Sequence, residues 1–314
     1  MSEKPAERGY YDYPVVKRPV WTWEIPVYFW LGGIGGGAFI TSSLAQRFGS
    51  QEDARALADG FYVAAAALLP CTPLLVKDLG RPDRFHHMLR VFKPVSPMNL
   101  GAWTLAALTP LAIARAAARA ADSGHTPGAF KFLMRLLPRR ITEVAGSLLG
   151  LTLAGYTGVL LGATNVPLWA KSKLLGGLFT ASALSSGSAA AGLLATRHGA
   201  SDRLRHRLSL LESATAVTEL SLLFGFLRQS GRSSRPLTRG RLAPPFWLGA
   251  VGIGTILPLL LHRLASRGSG LGHRRLSSVA ATCSILGSLA LRFTVFEAGK
   301  VSAGDQAASL ELSS

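Results

Sequence analysis

Seven stretches of the chain contain no Asp, Glu, Lys or Arg, and each has about the length of a membrane-spanning helix. They are residues 27–46, 60–76, 98–114, 144–170, 174–196, 242–261 and 276–291. An eighth apolar stretch, 208–227, is interrupted only by Glu212 and Glu219. About 20 apolar residues are enough to cross the ~30 Å hydrocarbon core of a bilayer. The pattern therefore predicts an all-α membrane protein with eight transmembrane helices in a bundle.

The apolar runs are continuous and lack the alternation of polar and apolar residues that is typical of barrel strands. Since only helices and closed barrels satisfy their backbone hydrogen bonds in lipid, a helical bundle is the expected architecture. We predict an extramembrane segment over residues 1–23, an eight-helix membrane domain over 24–300 and a disordered tail over 301–314, which is small and polar.

Composition supports a membrane protein and changes the meaning of the net charge. Charged residues make up 16% of the chain, whereas soluble domains contain about a quarter. A net charge of +17 would suggest nucleic acid as the partner of a soluble protein. Here the basic residues lie between predicted helices, where lipid phosphates and partner subunits explain them better. They are divided almost equally between the two faces, so the positive-inside rule does not select an orientation in the cell membrane.

Glycine, proline and aromatic residues mark two of the predicted helices. The first helix contains "LGGIGGGAF" (31–39), whose small residues at four-residue spacing predict close helix packing. It begins with "WTWEIPVYFW" (21–30), whose Trp and Tyr residues, Tyr28 among them, are expected at the membrane interface. Pro70 and Pro73 are expected to kink the second helix. The segment 127–140 has the apolar and basic residues of a short helix on the membrane surface.

Intrinsic metal centres are not expected. The two cysteines, Cys71 and Cys283, fall inside predicted helices and are too few for an iron–sulfur cluster, which needs four thiolates. All seven histidines lie in predicted loops or at helix ends, whereas a transmembrane haem needs histidines within facing helices. If the protein takes part in redox chemistry, the metal centres belong to another subunit.

Three charged residues lie inside the predicted spans. Glu212 and Glu219 are seven residues apart, hence on one face of the sixth helix and about 10 Å apart along its axis. Arg292, in the eighth helix, has a depth comparable to that of Glu219. One interpretation is a buried ion pair that fixes helix packing. The other is a path for protons, since ionisable groups inside a membrane are costly and are usually functional. Glu143, near a helix end, is expected to be an ordinary interfacial residue.

Several polar residues approach one face of the bundle, here called the N-terminal face because the first helix begins there. Tyr156 lies in a long uncharged run that ends near Asn165, and Glu24 begins the first helix. The charged segment "DLGRPDRFHHMLRVFKP" (78–94) closes the second helix on the same face. Tyr156 is either a core tyrosine bonded to a backbone carbonyl or a hydrogen-bond donor to a quinone.

Three motifs resemble the NrfD/polysulfide reductase membrane-subunit family. They are "LGGIGGGAF" in the first helix, "KDLGRPDRFHHMLRVFKPVSPMNLGAW" (77–103) and "GYTGVLL" (155–161). The resemblance extends over residues 26–300 and implies an eight-helix anchor without a redox cofactor of its own. Such an anchor exchanges electrons between menaquinone or ubiquinone and an iron–sulfur subunit, which serves a molybdenum-type catalytic subunit.

The resemblance also suggests roles for individual residues. Tyr156 matches the quinone-contacting tyrosine of the family, and Asp78 and Arg81 fall in its rim motif. A polar residue at the start of the first helix contacts quinone in several members, and Glu24 lies in that region. The predicted quinone-binding residues are Tyr156, Asp78, Arg81, His86, His87, Glu24 and Asn165. The predicted proton path consists of Glu212, Glu219 and Arg292.

The sequence thus predicts a quinone-binding membrane subunit of a multisubunit oxidoreductase. Two alternatives remain at this point. Kinked helices and intramembrane charges are also typical of secondary transporters, and a structural anchor without quinone chemistry has the same overall pattern.

Overall fold

The fold is a bundle of helices long and apolar enough to cross a membrane. The computed structural model describes residues 16–17, 19–122, 138–197, 200–265 and 271–305. Eight membrane-spanning helices occur within these residues. In chain order their bounds are Glu24–Phe48, Gln51–Asp78, Pro97–Asp122, Arg139–Gly162, Leu175–Thr196, Asp202–Thr238, Pro245–Ala265 and Gly272–Ser302. The prediction of eight spans in an all-α fold is confirmed.

Two predicted spans differ in detail from the observed ones. The window 144–170 is not one helix, because the fourth span begins earlier and ends at Gly162, and a separate short helix follows at Pro167–Ala170. The second span is interrupted at Pro70, in agreement with the predicted kink, and also at Ala58 and Asp59, where no proline lies. It consists of helices at Gln51–Leu57, Gly60–Leu68 and Cys71–Asp78, and Pro70 lies at the last break.

The first span is the centre of the bundle and packs against the second, fourth, fifth and eighth spans. Its glycines permit this because they lack a Cβ. A Cβ on Gly36 would overlap the backbone of Gly150 in the fourth span, and one on Gly37 would overlap the backbone of Ala183 in the fifth. A Cβ on Gly33 would lie 2.6 Å from a guanidinium nitrogen of Arg292. The close packing predicted from "LGGIGGGAF" is therefore confirmed.

The N-terminal face of the bundle is closed by aromatic packing. Trp169 of the short helix is fully buried, and its indole N–H donates to the carbonyl of Val295 at 3.0 Å. Its ring stacks between Trp21 and Phe296, with centroid distances of 6.3 and 5.9 Å. Beside this region, residues Pro82–Leu89 form a 3₁₀ helix between the second and third spans.

The sixth and seventh spans also depart from simple α-helices. The sixth is an α-helix over Asp202–Ser230, continued by a 3₁₀ turn at Gly231–Ser234 and a short helix at Arg235–Thr238. The seventh begins as a π-helix at Pro245–Ile256 and becomes an α-helix at Leu257–Ala265.

The opposite face is held together by ion pairs between spans. Glu143 of the fourth span, which we expected to be an ordinary interfacial residue, is 6% exposed. It accepts from Arg115 at 2.9 Å and from Arg139 at 2.8 Å. Arg207 of the sixth span pairs with the buried Asp53 at 2.8 Å. The sequence did not indicate these partners because most of them come from helices that are distant along the chain.

Two predictions fall largely on residues that the structure does not describe. The proposed surface helix at 127–140 lies outside the described residues up to position 137. The tail at 301–314 is described only as far as Asp305, and the last helix ends at Ser302.

Candidate functional site near the N-terminal face

Two tyrosine hydroxyls meet inside the bundle about one helical turn below the N-terminal face. The hydroxyl of Tyr156, in the fourth span, is hydrogen-bonded to that of Tyr28, in the first. Tyr28 is fully buried and Tyr156 is 6% exposed. The ring of Tyr156 lies against Gly101 of the third span, where a Cβ would overlap it. Three spans therefore fix the position of this tyrosine pair.

One phenolic O–H of the tyrosine pair does not donate a hydrogen bond within the pair. Each phenol carries one proton, and the single O–H···O bond between them uses only one of the two. The other proton has no acceptor among the residues that the structure describes. Buried polar groups normally find a partner, so this hydroxyl can donate to a further group.

A polar network lies directly above the tyrosines. The backbone N–H of Thr22 donates to Asp78 Oδ1 at 3.0 Å, and its hydroxyl lies 2.8 Å from the same oxygen. The Thr22 hydroxyl is also hydrogen-bonded to Glu24. Lys77 Nζ lies 3.0 Å from Glu24 Oε1 and 5.0 Å from the centre of the Trp23 ring. Asp78 and Glu24 thus belong to one network that ties the start of the first span to the end of the second.

The network and the tyrosine pair are connected through one helix face. Glu24 and Tyr28 are four residues apart, so they lie one above the other on the same side of the first span, about 6 Å apart along its axis. Both are buried. Tyr28 was expected among the aromatic residues at the interface, and the structure buries its ring inside the bundle, where it does not face lipid.

Three further predicted residues lie at the surface of the same face. Arg81, His86 and His87 are exposed on or next to the 3₁₀ helix. The two imidazole rings contact each other edge to face, with centroids 4.4 Å apart. Among the described residues, no hydrogen bond or ion pair connects these three side chains with Tyr156. They form part of the rim rather than of the buried tyrosine site.

Asn165 is also near the surface, beyond the end of the fourth span. It lines a cavity of about 400 Å³ whose other walls include Lys17, Val20 and Trp21. The structure therefore places Asn165 beside the N-terminal segment and apart from the Tyr28–Tyr156 pair.

A fully buried guanidinium lies deeper in the bundle. Arg292 is 0% exposed and lies ten residues, about 15 Å, before the end of the eighth span at Ser302. It donates to the carbonyls of Phe29 (3.1 Å), Ser288 (3.0 Å) and Phe179 (3.4 Å). The guanidinium carbon lies 5.3 Å from the centre of the Phe179 ring. Helix carbonyls, an aromatic face and a hydroxyl together hold this charge in the core.

Arg292 lies near the carboxylate of Glu219 and contacts a serine of the fifth span. Arg292 Nη1 donates to Ser182 Oγ at 3.3 Å, and the charges of Arg292 and Glu219 are close enough to interact. A direct ion pair between Arg292 and Glu219 was one of the two interpretations of the sequence. Among the described residues, no nitrogen–oxygen contact within 4.0 Å joins the two side chains. The interaction of their charges is consistent with a comparable depth in the bundle.

Glu212 has a partner that the sequence alone did not reveal. His262 Nε2, in the seventh span, lies 3.0 Å from Glu212 Oε2, and both side chains are nearly fully buried. His262 lies near the end of its helix, Leu257–Ala265. The sequence contained one hint of this contact. His262 directly follows an uncharged window, at a depth that the Glu212 side chain can reach.

The architecture and the buried polar residues define an integral membrane protein with eight spans, a buried tyrosine pair and intramembrane charges. The chain matches the family described as "Polysulphide reductase, NrfD" over residues 14–303. The chain therefore belongs to the NrfD family, which supplies membrane subunits of oxidoreductase complexes.

Three relatives show the extent of the similarity. The chain is 30% identical to the C subunit of polysulfide reductase from Wolinella succinogenes, and the alignment covers 91% of this chain and 96% of that protein. It is 28% identical to protein NrfD of Escherichia coli, over 90% of this chain and 95% of the relative. It is 26% identical to an NrfD homologue of Haemophilus influenzae, over 92% and 98% of the two chains. These relatives match the chain over nearly its whole length.

Proposed function

We propose that this protein is the quinone-binding membrane subunit of a multisubunit oxidoreductase. In this role it exchanges electrons between the quinone pool of the membrane and an iron–sulfur subunit, which is coupled to a molybdenum-type or related catalytic subunit. Membership of the NrfD family supports the assembly into an oxidoreductase complex. The geometry of the N-terminal face supports the proposal that the protein binds a quinone.

The observation that carries the proposal is the Tyr28–Tyr156 pair with its unused phenolic proton. A quinone carbonyl is a hydrogen-bond acceptor, and a buried phenol with a free donor is suited to bind it. Because Gly101 and the first span hold the Tyr156 ring in place, the donor is preorganised rather than formed on binding. Glu24, one turn above, provides a carboxylate between the tyrosines and the surface.

A bound quinone supplies two-electron, two-proton chemistry, so its site needs both donors and a proton supply. Tyr156 is the inner donor in the proposal. Arg81 and one histidine of the His86–His87 pair are candidates for the outer donor, since they lie exposed at the same face. Glu24 and Asp78 would hold protons between the site and the surface.

A second set of residues supports a proton route through the bundle. Glu212 and Glu219 lie on one face of the sixth span, and the buried Thr215 lies between them. The fifth span packs against this helix and contributes Ser182. Arg292 keeps a positive charge near Glu219. In the proposal the two carboxylates take up and release protons, and Arg292 balances the negative charge that this creates.

The substitution Tyr156→Phe tests the quinone role. It preserves the ring that packs against Gly101 and removes only the hydroxyl. We expect quinol-linked turnover of the assembled complex to fall at least about tenfold, which corresponds to the loss of a hydrogen bond worth roughly 1.4 kcal/mol at the site. The yield of the complex should not change. Turnover is measured with a soluble quinol analogue on the purified complex.

Tyr62→Phe is the matched control. It removes one phenolic hydroxyl as well, but Tyr62 is partly buried and lies in the half of the second span that is farther from the N-terminal face. Quinol-linked turnover of the complex that carries Tyr62→Phe should equal that of the wild type. Equal turnover of the Tyr156→Phe variant and the wild type would instead favour a structural anchor. Purification of the chain without an iron–sulfur partner, together with substrate uptake, would favour a transporter.

A further inference from the structure

A small polar cavity lies among the fifth, sixth, seventh and eighth spans, near the face opposite to the tyrosine pair. Its volume is about 20 Å³, and its polar walls include Arg205, Ser209, Glu212, His262 and Ser277. A buried water needs a space of roughly 10–15 Å³ and two to four polar partners. The cavity meets both conditions for one water molecule.

Three polar atoms at this cavity have no hydrogen-bond partner among the described residues. They are His262 Nδ1, Ser277 Oγ and Arg205 Nε. His262 is 6% and Arg205 is 5% exposed. An unpaired buried polar group costs about 1–3 kcal/mol. One water that bonds to these atoms would remove most of that cost.

The charged and titratable side chains around the cavity, among the described residues, belong to the spans that line it. On the sixth span, Arg205 bonds to the carbonyl of Ala200 and to Asp202. On the eighth span, one turn before Ser277, the buried His273 bonds through Nδ1 to the carbonyl of Ala265 at 2.7 Å. The residues that the fifth span contributes to the cavity are apolar or hydroxylated. Glu212 is the only carboxylate among the cavity-lining residues described.

We propose that His262, Glu212 and one water in this cavity form a proton-exchange site that serves the opposite face. His262 Nε2 lies 3.0 Å from the carboxylate, and its Nδ1, which has no partner among the described residues, would bond to the water. A proton bound at Nδ1 makes the ring an imidazolium, which then passes its Nε2 proton to Glu212 Oε2. The water regains its proton from the surface side, and the imidazole is left neutral with its proton on Nδ1 instead of Nε2. The net result is the movement of one proton from the surface, through the water and the ring, to the carboxylate, without a change of redox state.

This proposal rests on the proton route of the proposed function and extends it by one residue, His262, and one water. Arg205 lies one turn from the start of the sixth span at Asp202. The cavity therefore extends from a position near the surface to Glu212, which lies about 15 Å along the helix axis from Asp202. The site would connect the surface with the deeper carboxylate.

Infrared difference spectroscopy between two pH values tests the site in the assembled complex. Glu212→Gln should remove one carboxylic acid C=O band from the difference spectrum. His262→Gln should remove an imidazole band and change the frequency of the Glu212 band, since its hydrogen bond is lost. Ser277→Ala should slow the shift of the Glu212 band when the buffer is changed from H₂O to D₂O.

His273→Gln is the control, because it removes the other buried histidine of the same face, whose ring bonds to a backbone carbonyl. Its difference spectrum should retain the Glu212 and His262 bands. A Glu212→Gln spectrum identical to that of the wild type would overturn the proposal, because the pair would then be a fixed contact between helices. If His262→Gln does not assemble, the Glu212→Gln and Ser277→Ala spectra decide the question.

These spectra need neither quinone nor electron transfer. Their outcome is therefore independent of the turnover measured with Tyr156→Phe. Suppose that Glu212→Gln loses the carboxylic acid band while Tyr156→Phe keeps normal quinol turnover. This result would support the proton site and contradict the quinone site. The reverse result would contradict the proton site alone.

Discussion

At the scale of single residues, the central question is how the membrane core tolerates the charge of Arg292. Its donors are satisfied by three helix carbonyls and by Ser182, and Gly33 leaves room for the guanidinium. Glu219 lies near enough to supply the opposite charge. Such a buried arrangement adds little net stability, yet removal of one charge leaves the other uncompensated.

Arg292→Met should therefore lower the free energy of unfolding by about 3 kcal/mol. Adding Glu219→Gln should recover at least about 1 kcal/mol of this loss, because the double variant buries no unpaired charge. Thermal unfolding of the detergent-purified single and double variants measures both effects. Strictly additive losses would show that the two side chains do not interact.

The sequence was sufficient to find these residues but not their contacts. Charges inside an apolar window are visible without a structure, which is why Arg292, Glu212 and Glu219 were all predicted as candidates. Arg292 bonds to Ser182 and Glu212 to His262, and both of these residues come from other spans. Only the packing of the bundle reveals which polar groups meet.

At the scale of helices, the position of the first span at the centre of the bundle depends on glycine pairs. The spacing in "LGGIGGGAF" predicted close packing, but the partner helices were not predictable from one segment. In the structure Gly187 of the fifth span approaches the backbone of Gly37 and Ala38 so closely that a Cβ would overlap it. The small residues of two distant segments are thus needed together.

Gly187→Ala should force the first and fifth spans apart and destabilise the bundle by roughly 1–3 kcal/mol. Gly177→Ala in the same helix is the control, because its Cβ would meet only the Leu222 side chain, at 3.4 Å. Thermal unfolding should separate the two variants clearly. Equal melting temperatures would mean that the contact between the first and fifth spans does not limit stability.

At the scale of the whole molecule, charge and exposed apolar groups are concentrated on the segment that closes the second span. Arg84, Arg90 and Lys93 are exposed, and they surround Phe92 and Val95, which are 57% and 94% exposed. Exposed apolar side chains among positive charges suit a protein partner of opposite charge. The segment lies on the same face as the tyrosine pair, so a subunit bound there would be next to the proposed quinone site.

The triple substitution Arg84→Glu, Arg90→Glu and Lys93→Glu should therefore weaken binding of the proposed iron–sulfur subunit at least about a hundredfold, or roughly 2.8 kcal/mol. It should have little effect on the melting temperature of the isolated chain. Copurification at increasing salt measures the loss, which should be greatest at low ionic strength because charge attraction is then least screened. Arg203→Glu, Arg274→Glu and Arg275→Glu change the charge equally on the opposite face and should leave copurification intact. If both triple variants lose the partner to the same degree, net charge governs assembly and the 84–95 segment is not the docking surface.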